Sequence, residues 1–208
     1  MVLIDKIISK ILSVYEGFML KDCDFAVVSN NCWGYKIYHS VGKEYNTPFV
    51  GLFLYPECYL KVCSNLEKYL MHTLSNVSNK SKYFDGECNY FIGHIDDIEI
   101  HFLHYRDENE CIRKWNVRSK RLLKHIKNNN KVLFQFNDRD LATKDQIKQF
   151  HCVLDNEIKV SFGVQDLGIP NHFKVKKIDM DINRVVDGVR LYDSRYRYIS
   201  LNRILNDI

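Results

Sequence analysis

The residues of this chain with the greatest capacity for chemistry fall in three short polar runs. They are Ser29-Asn-Asn-Cys-Trp-Gly34, the group His101, His104 and Tyr105, and Asn137-Asp-Arg-Asp140. Each follows an apolar stretch of strand length. In an open parallel α/β sheet the strand carboxyl ends share one edge, and ligands bind there. The three runs are therefore expected to converge on one crevice.

In the first run Asn30, Asn31 and the amides that follow could hold a phosphate or sugar oxygen at a helix N-terminus. Ser29 and Trp33 would line that turn, and Gly34 would let the backbone come close. Ser and Asn are equally the ordinary caps where a helix starts. Cys32 stands where a helix N-terminus lowers a thiol pKa, which makes it a candidate nucleophile with His104 or His39 as its base. A buried Cys packed beside Trp33 is the plainer reading. Neither GxGxxG nor a Walker loop occurs, so no dinucleotide or triphosphate cofactor is implied.

His101 and His104 would point to opposite faces of a strand, so joint metal ligation is not expected. His104, at the strand end beside Tyr105, is the candidate general acid–base group, or else a histidine bonded to a loop carbonyl. Arg118 and Arg121, three residues apart on the next helix, suit an anionic ligand or are solvated surface charges. In the third run Asn137, Asp138, Arg139 and Asp140 form a polar turn. Its two carboxylates could hold a divalent cation against diphosphate oxygens, or the turn simply caps the next helix. No His/Cys set has the spacing of a metal site.

The elements that position these runs are legible in the pattern. Leu3, Ile4, Ile7, Ile8, Ile11, Leu12 and Tyr15 share one face of an amphipathic first helix, expected to pack on the core. Strands are expected at 25–28, 49–54, 90–92, 98–103, 131–136 and 159–164, with 173–180 as a further edge. Helices are expected at 35–41, from Pro56 to Leu70, at 108–127 and after Thr143, and Ser200 caps a last short one. Residues 73–89 read as a long surface loop. The alternation argues for an α/β fold, a three-layer α/β/α arrangement with a mainly parallel, Rossmann-like sheet. A single domain over 1–208 is expected, with its core at about 20–165 and a C-terminal elaboration at about 166–208.

Bulk properties narrow the setting. With 208 residues, 46% hydrophobic and 13% aromatic, the chain can build a real core. A net charge of +4, with acids and bases interspersed, gives no reason to expect nucleic acid as partner. Seven cysteines without a CxxC pair fit reduced thiols in a cytoplasm better than a disulfide framework. No signal-peptide pattern or membrane-spanning apolar run is visible, so a cytoplasmic protein without a transmembrane segment is expected. A homo-oligomer is compatible with all of this.

Separated motifs resemble an uncharacterised bacterial family whose members are frequently labelled exopolysaccharide biosynthesis proteins. They are Val28-Ser-Asn-Asn-Cys-Trp-Gly34, Tyr45-Asn-Thr-Pro-Phe-Val-Gly-Leu-Phe53, Ser64-Asn-Leu-Glu-Lys-Tyr69, Ile100-His-Phe-Leu-His-Tyr105, Lys114-Trp115 with Arg118 and Arg121, and Asn137-Asp-Arg-Asp140 before Thr143. The resemblance covers roughly residues 20 to 165 and implies an α/β fold and a link to surface-polysaccharide genes. It carries over no catalytic residues. The function expected from crevice and resemblance is a transferase acting on a sugar-nucleotide or phosphorylated glycan precursor. A non-catalytic ligand-binding or accessory protein of the same pathway is the alternative. A Cys-dependent hydrolase or acyltransferase centred on Cys32 is a third.

Overall fold

The computed structural model of the chain describes residues 2–206 apart from 141, 182 and 184. Helix α1 (Val2–Met19) leads into β1 (Phe25–Ser29) and α2 (Trp33–Val41). Next come β2 (Leu52–Phe53), α3 (Pro56–Ser64), α4 (Leu66–Met71), β3 (Val77–Lys80), β4 (Glu87–Ile95) and β5 (Ile98–Phe102). The long α5 (Glu108–Lys127) precedes β6 (Lys131–Asn137), α6 (Lys144–Val153), β7 (Ile158–Gly163) and β8 (His172–Lys174). Helices α7 (Gly188–Asp193) and α8 (Leu201–Asn206) follow.

Two sheets result. Strands β1, β6, β7 and β8 pair in that order, all parallel, with Phe25 opposite Lys131 and Leu133 opposite Ile158. The second sheet, β2-β5-β4-β3, is antiparallel throughout. This corrects the single, mainly parallel sheet expected from the alternation. Ile95 pairs with Ile98 across Asp96-Asp97, and Asp96 has φ +52°. A two-residue turn makes a hairpin, whereas parallel neighbours need a crossover of a dozen residues or more. The stretch at 73–89, expected as loop, contributes β3 and the start of β4.

Alternation along the parallel strands sends side chains to two cores. Ala26, Val28, Phe134 and Phe136 join Tyr59, Trp115, Leu122 and Phe150. Phe25, Val27, Leu133, Val160 and Phe162 join Trp33, Ile37, Leu191, Tyr192 and Leu201. Both faces are covered, as parallel strands require. The C-terminal segment is thus built into the second core, with β8 as an edge strand. Asp107 caps α5 by accepting from the Glu110 amide at 2.8 Å, and Thr143 with Gln146 forms a reciprocal capping box on α6. The expected helix from Pro56 to Leu70 breaks at Asn65, whose φ of −149° is not helical.

The first helix is mounted the other way round from expectation. Its apolar face is outside: Leu3, Ile11, Val14 and Phe18 are 70%, 65%, 73% and 80% exposed. Its polar face is inside, with Asp5, Ser9 and Glu16 buried. The reason is Arg195, which is fully buried and needs acceptors. Glu16 supplies an ion pair, the Ser9 hydroxyl accepts at 2.8 Å, and the Tyr192 carbonyl accepts at 3.0 Å. Arg197 bonds Asp5 and Asp179 in the same layer. All seven cysteines are unpaired. Among the described residues no helix is long and apolar enough to cross a membrane.

Candidate functional site

The first and third polar runs do meet at the carboxyl edge of the parallel sheet, and most of their side chains are spent on holding that edge together. The Asn137 amide donates to Asn30 Oδ1 at 2.9 Å, and Asn30 Nδ2 donates to the Asn137 carbonyl at 3.2 Å. Asn30 therefore staples β1 to β6. Ser29 Oγ lies 2.5 Å from Gln135 Oε1. The Tyr59 hydroxyl donates to the same edge, 2.8 Å from the Val28 carbonyl. Asp138 ties β6 to β7, its amide donating to the Phe162 carbonyl at 2.8 Å while its carboxylate accepts from the Val164 amide at 3.0 Å.

Asn31 caps α2, since its Oδ1 accepts from the Trp33 amide at 3.0 Å. An added Cβ on Gly188 would lie 2.5 Å from that Oδ1 and 2.9 Å from the Trp33 nitrogen. The start of α7 therefore sits on the first turn of α2, where an anion was expected. Gly34 also has a different role from the expected ligand approach. A Cβ there would fall 2.9 Å from Val27 Cγ1, so its lack of side chain seats α2 on β1. Trp33 is fully buried between Phe162 and Tyr192, at ring separations of 5.9 and 6.0 Å, and belongs to the core.

What remains open at this edge is a smaller group. Arg139 donates to Asp187 at 3.0 Å and lies 3.4 Å from Asp140. Asp140 has φ +54°, a left-handed conformation rare for residues other than glycine, and burial raises its carboxyl pKa against the opposing pull of Arg139. Cys32 is half-buried beside them. Burial, then the Asp187 carboxylate, push its thiol up to about 11, the reverse of what an activated nucleophile requires. The amide nitrogens Asn31 Nδ2 and Asn137 Nδ2 are buried donors with no acceptor from the protein. No group of three or more His, Cys, Asp or Glu side chains among the described residues is arranged to hold a metal ion.

The antiparallel sheet adds an aromatic patch. His101 is fully buried, stacked on Phe53 at 4.4 Å and flanked by Tyr55 at 5.1 Å and Tyr90 at 5.8 Å. Burial raises the Tyr55 and Tyr90 hydroxyl pKa values; the Asp140 charge adds at Tyr55, and the bond to Cys88 adds at Tyr90. Asp187, Tyr55 and Tyr90 escaped the sequence reading. They come from three separate segments, and no local spacing links them to Asp140.

The second run does not join this edge, because β5 belongs to the other sheet and runs antiparallel to β2. His104 is exposed, and its backbone amide donates to Gly51 at 3.0 Å, while Leu54, three residues on, bonds Asn30. His101 stands opposite Phe53 in the antiparallel sheet. The Tyr105 hydroxyl donates to Val50 at 2.7 Å and accepts from Arg118 at 3.4 Å. Arg118 lies over the Tyr45 ring at 4.9 Å, and Arg121 bonds the Tyr45 carbonyl at 3.1 Å. With His39 and Lys43 these arginines line a shallow groove of about 470 Å³ near the start of β1. A second groove, about 680 Å³, lies at the amino edge of the parallel sheet beside Lys131 and Ile158.

Burial holds His101 neutral, its pKa lowered from 6.5 to about 4. The unfolded chain takes up this proton near pH 6.5 and the folded chain does not, so stability present above pH 6.5 is lost as the pH falls toward 4. The expected loss is about 2–3 kcal/mol, and His151, also lowered to about 4 by burial, adds to it. Urea titrations at pH 7 and 4.5 measure it. His101→Gln should flatten the dependence, and an unchanged slope would contradict this account.

The sequence is 36% identical over 124 residues to an "Uncharacterized protein" of Haemophilus influenzae (strain ATCC 51907 / DSM 11121 / KW20 / Rd). That match covers 60% of this chain and 54% of the Haemophilus protein, so the chain spans about half the length of this relative. A family model described as a domain of unknown function, DUF1919, matches residues 3–192, which takes in α1, both sheets and α7. The chain belongs to the DUF1919 family.

Proposed function

We propose that this protein binds a phosphorylated sugar or sugar nucleotide at the carboxyl edge of the parallel sheet and acts on it as a transferase of surface-polysaccharide assembly. The link to polysaccharide rests on the sequence resemblance. The three-layer, Rossmann-like reading of the parallel sheet belongs to the same proposal. The observation that carries it is the grouping of Arg139 with Asp140 and Asp187 beyond the end of β6, with the unpartnered Asn31 amide nitrogen on the turn after β1; in this reading Tyr55 and Tyr90 supply the aromatic side. Aromatic faces suit the apolar face of a sugar or a base, and a guanidinium suits phosphate oxygens. A carboxyl raised by burial suits proton transfer to or from a hydroxyl. The non-catalytic alternative draws on the Arg139–Asp140 pairing, which keeps the carboxylate engaged.

A thermal-shift panel of sugar nucleotides should raise the melting point with at least one member. Asp140→Asn should keep that shift and lower transfer by about 100-fold or more. Binding with no turnover in the wild type selects the non-catalytic alternative. A panel without any shift removes the ligand reading altogether.

A further inference from the structure

We infer that α1 is a self-association surface through which two copies of this chain pair. Ile4, Ile7, Ile11, Val14 and Phe18 recur at spacings of three, four, three and four residues. That is the seam along which two helices interdigitate, sustained over about two heptads of an 18-residue helix. All five side chains are more than half exposed. The helix cannot turn this stripe inward, because its opposite face holds the buried Arg195 and Arg197 through Glu16, Ser9 and Asp5. The outward orientation is therefore locked by the most strongly bonded charges in the C-terminal segment.

The size of the stripe fits a partner. Together with Leu3 and Tyr15, also more than half exposed, it presents seven apolar side chains on one face, a surface at or above the roughly 300–600 Å² of the largest patch on a typical monomer. Paired with its equivalent across a two-fold axis, it reaches the roughly 1,000 Å² expected of a specific interface. Its surroundings favour a second copy over a lipid surface. An interfacial membrane helix carries Lys and Arg on its polar face. Here that face carries Asp5 and Glu16, already paired inside the protein. Lys6 and Lys10 stand on one flank only, while Ile8, Leu12 and Met19 continue the apolar surface on the other. The protein's own body covers the remaining half of the helix, which leaves room for one partner helix. The family match begins at Leu3, so this surface is part of the domain itself.

Light scattering on the size-exclusion peak tests this at micromolar concentration. Wild type should elute at about 49 kDa, twice the 24.7 kDa of one chain. Ile7→Glu and Phe18→Glu, both at exposed positions, should elute at the single-chain mass with unchanged far-ultraviolet circular dichroism. Wild type at the single-chain or three-chain mass overturns the inference, as does a dimer that both substitutions leave intact. A single-chain mass with sedimentation on phosphatidylglycerol vesicles would instead give the face to a membrane.

Discussion

Replacing Arg195 with Ala is expected to destabilise the protein by about 3–5 kcal/mol, the largest effect of any single charge removal in the chain. Arg195 is fully buried, and its guanidinium meets Glu16, the Ser9 hydroxyl, the Tyr192 carbonyl and, at 4.0 Å, the Tyr192 ring. Its removal strands the Glu16 carboxylate, itself only 5% exposed, without a partner. An uncompensated buried charge is far more damaging than a missing contact. For a chain of this size the melting point should fall by roughly 10 °C or more. Urea titration gives the free energy. Because α1 is held by polar contacts, the same variant should expose it to limited proteolysis ahead of global unfolding. The double variant Arg195→Met with Glu16→Leu should recover most of the loss, since both charges leave together. A single variant as stable as wild type would mean that the pair is hydrated.

Trp33→Ala is expected to be comparably damaging, at about 3–5 kcal/mol. The indole is fully buried in the second core between Phe162 and Tyr192, and its removal leaves a cavity where β1, β7, α2 and α7 meet. The test separates two roles that the sequence left open. A Trp lining a ligand turn would leave stability intact and abolish binding when truncated. A core Trp would lower the urea midpoint whether ligand is present or not, and the latter result is expected. Trp33→Phe, which keeps much of the volume, should recover more than half of the lost stability.

Much of the fold was legible because its signals are local. The Asp107–Glu110 and Thr143–Gln146 caps bracket α5 and α6 as their spacing suggests, since a cap acts within one turn. Strands β1, β6 and β7 lie where the short apolar-rich segments at 25–28, 131–136 and 159–164 put them, because strands covered on both faces carry apolar side chains toward each core. The antiparallel sheet was misassigned although its signal was present, in the two-residue Asp96-Asp97 link. Reading that link as a hairpin would have removed His104, Tyr105, Arg118 and Arg121 from the shared edge.

The side chains of the candidate site were harder to sort. Asn30, Ser29 and Asp138 have the composition of a ligand site and the bonding of a sheet staple, and composition does not distinguish the two. Whether an Asn donates to a ligand or to a carbonyl on a strand 107 residues away depends on which strand lies beside it. Asp140 stands just beyond the end of β6 beside Arg139, which also holds Asp187 from the C-terminal segment.

The orientation of α1 shows the division most plainly. The sequence by itself determined that residues 2–19 form a helix with one apolar face and one polar face, because side-chain period is a local property. It also set the strand cores, the caps and the polar turn at 29–34. Only the tertiary structure decided which face of α1 turns inward. A buried arginine from residue 195 demanded the polar one, and the free energy of leaving that charge unpaired exceeds that of leaving several apolar side chains in water. What surrounds the ends of β1 and β6 was decided in the same way, by which strand and which C-terminal residues lie beside them.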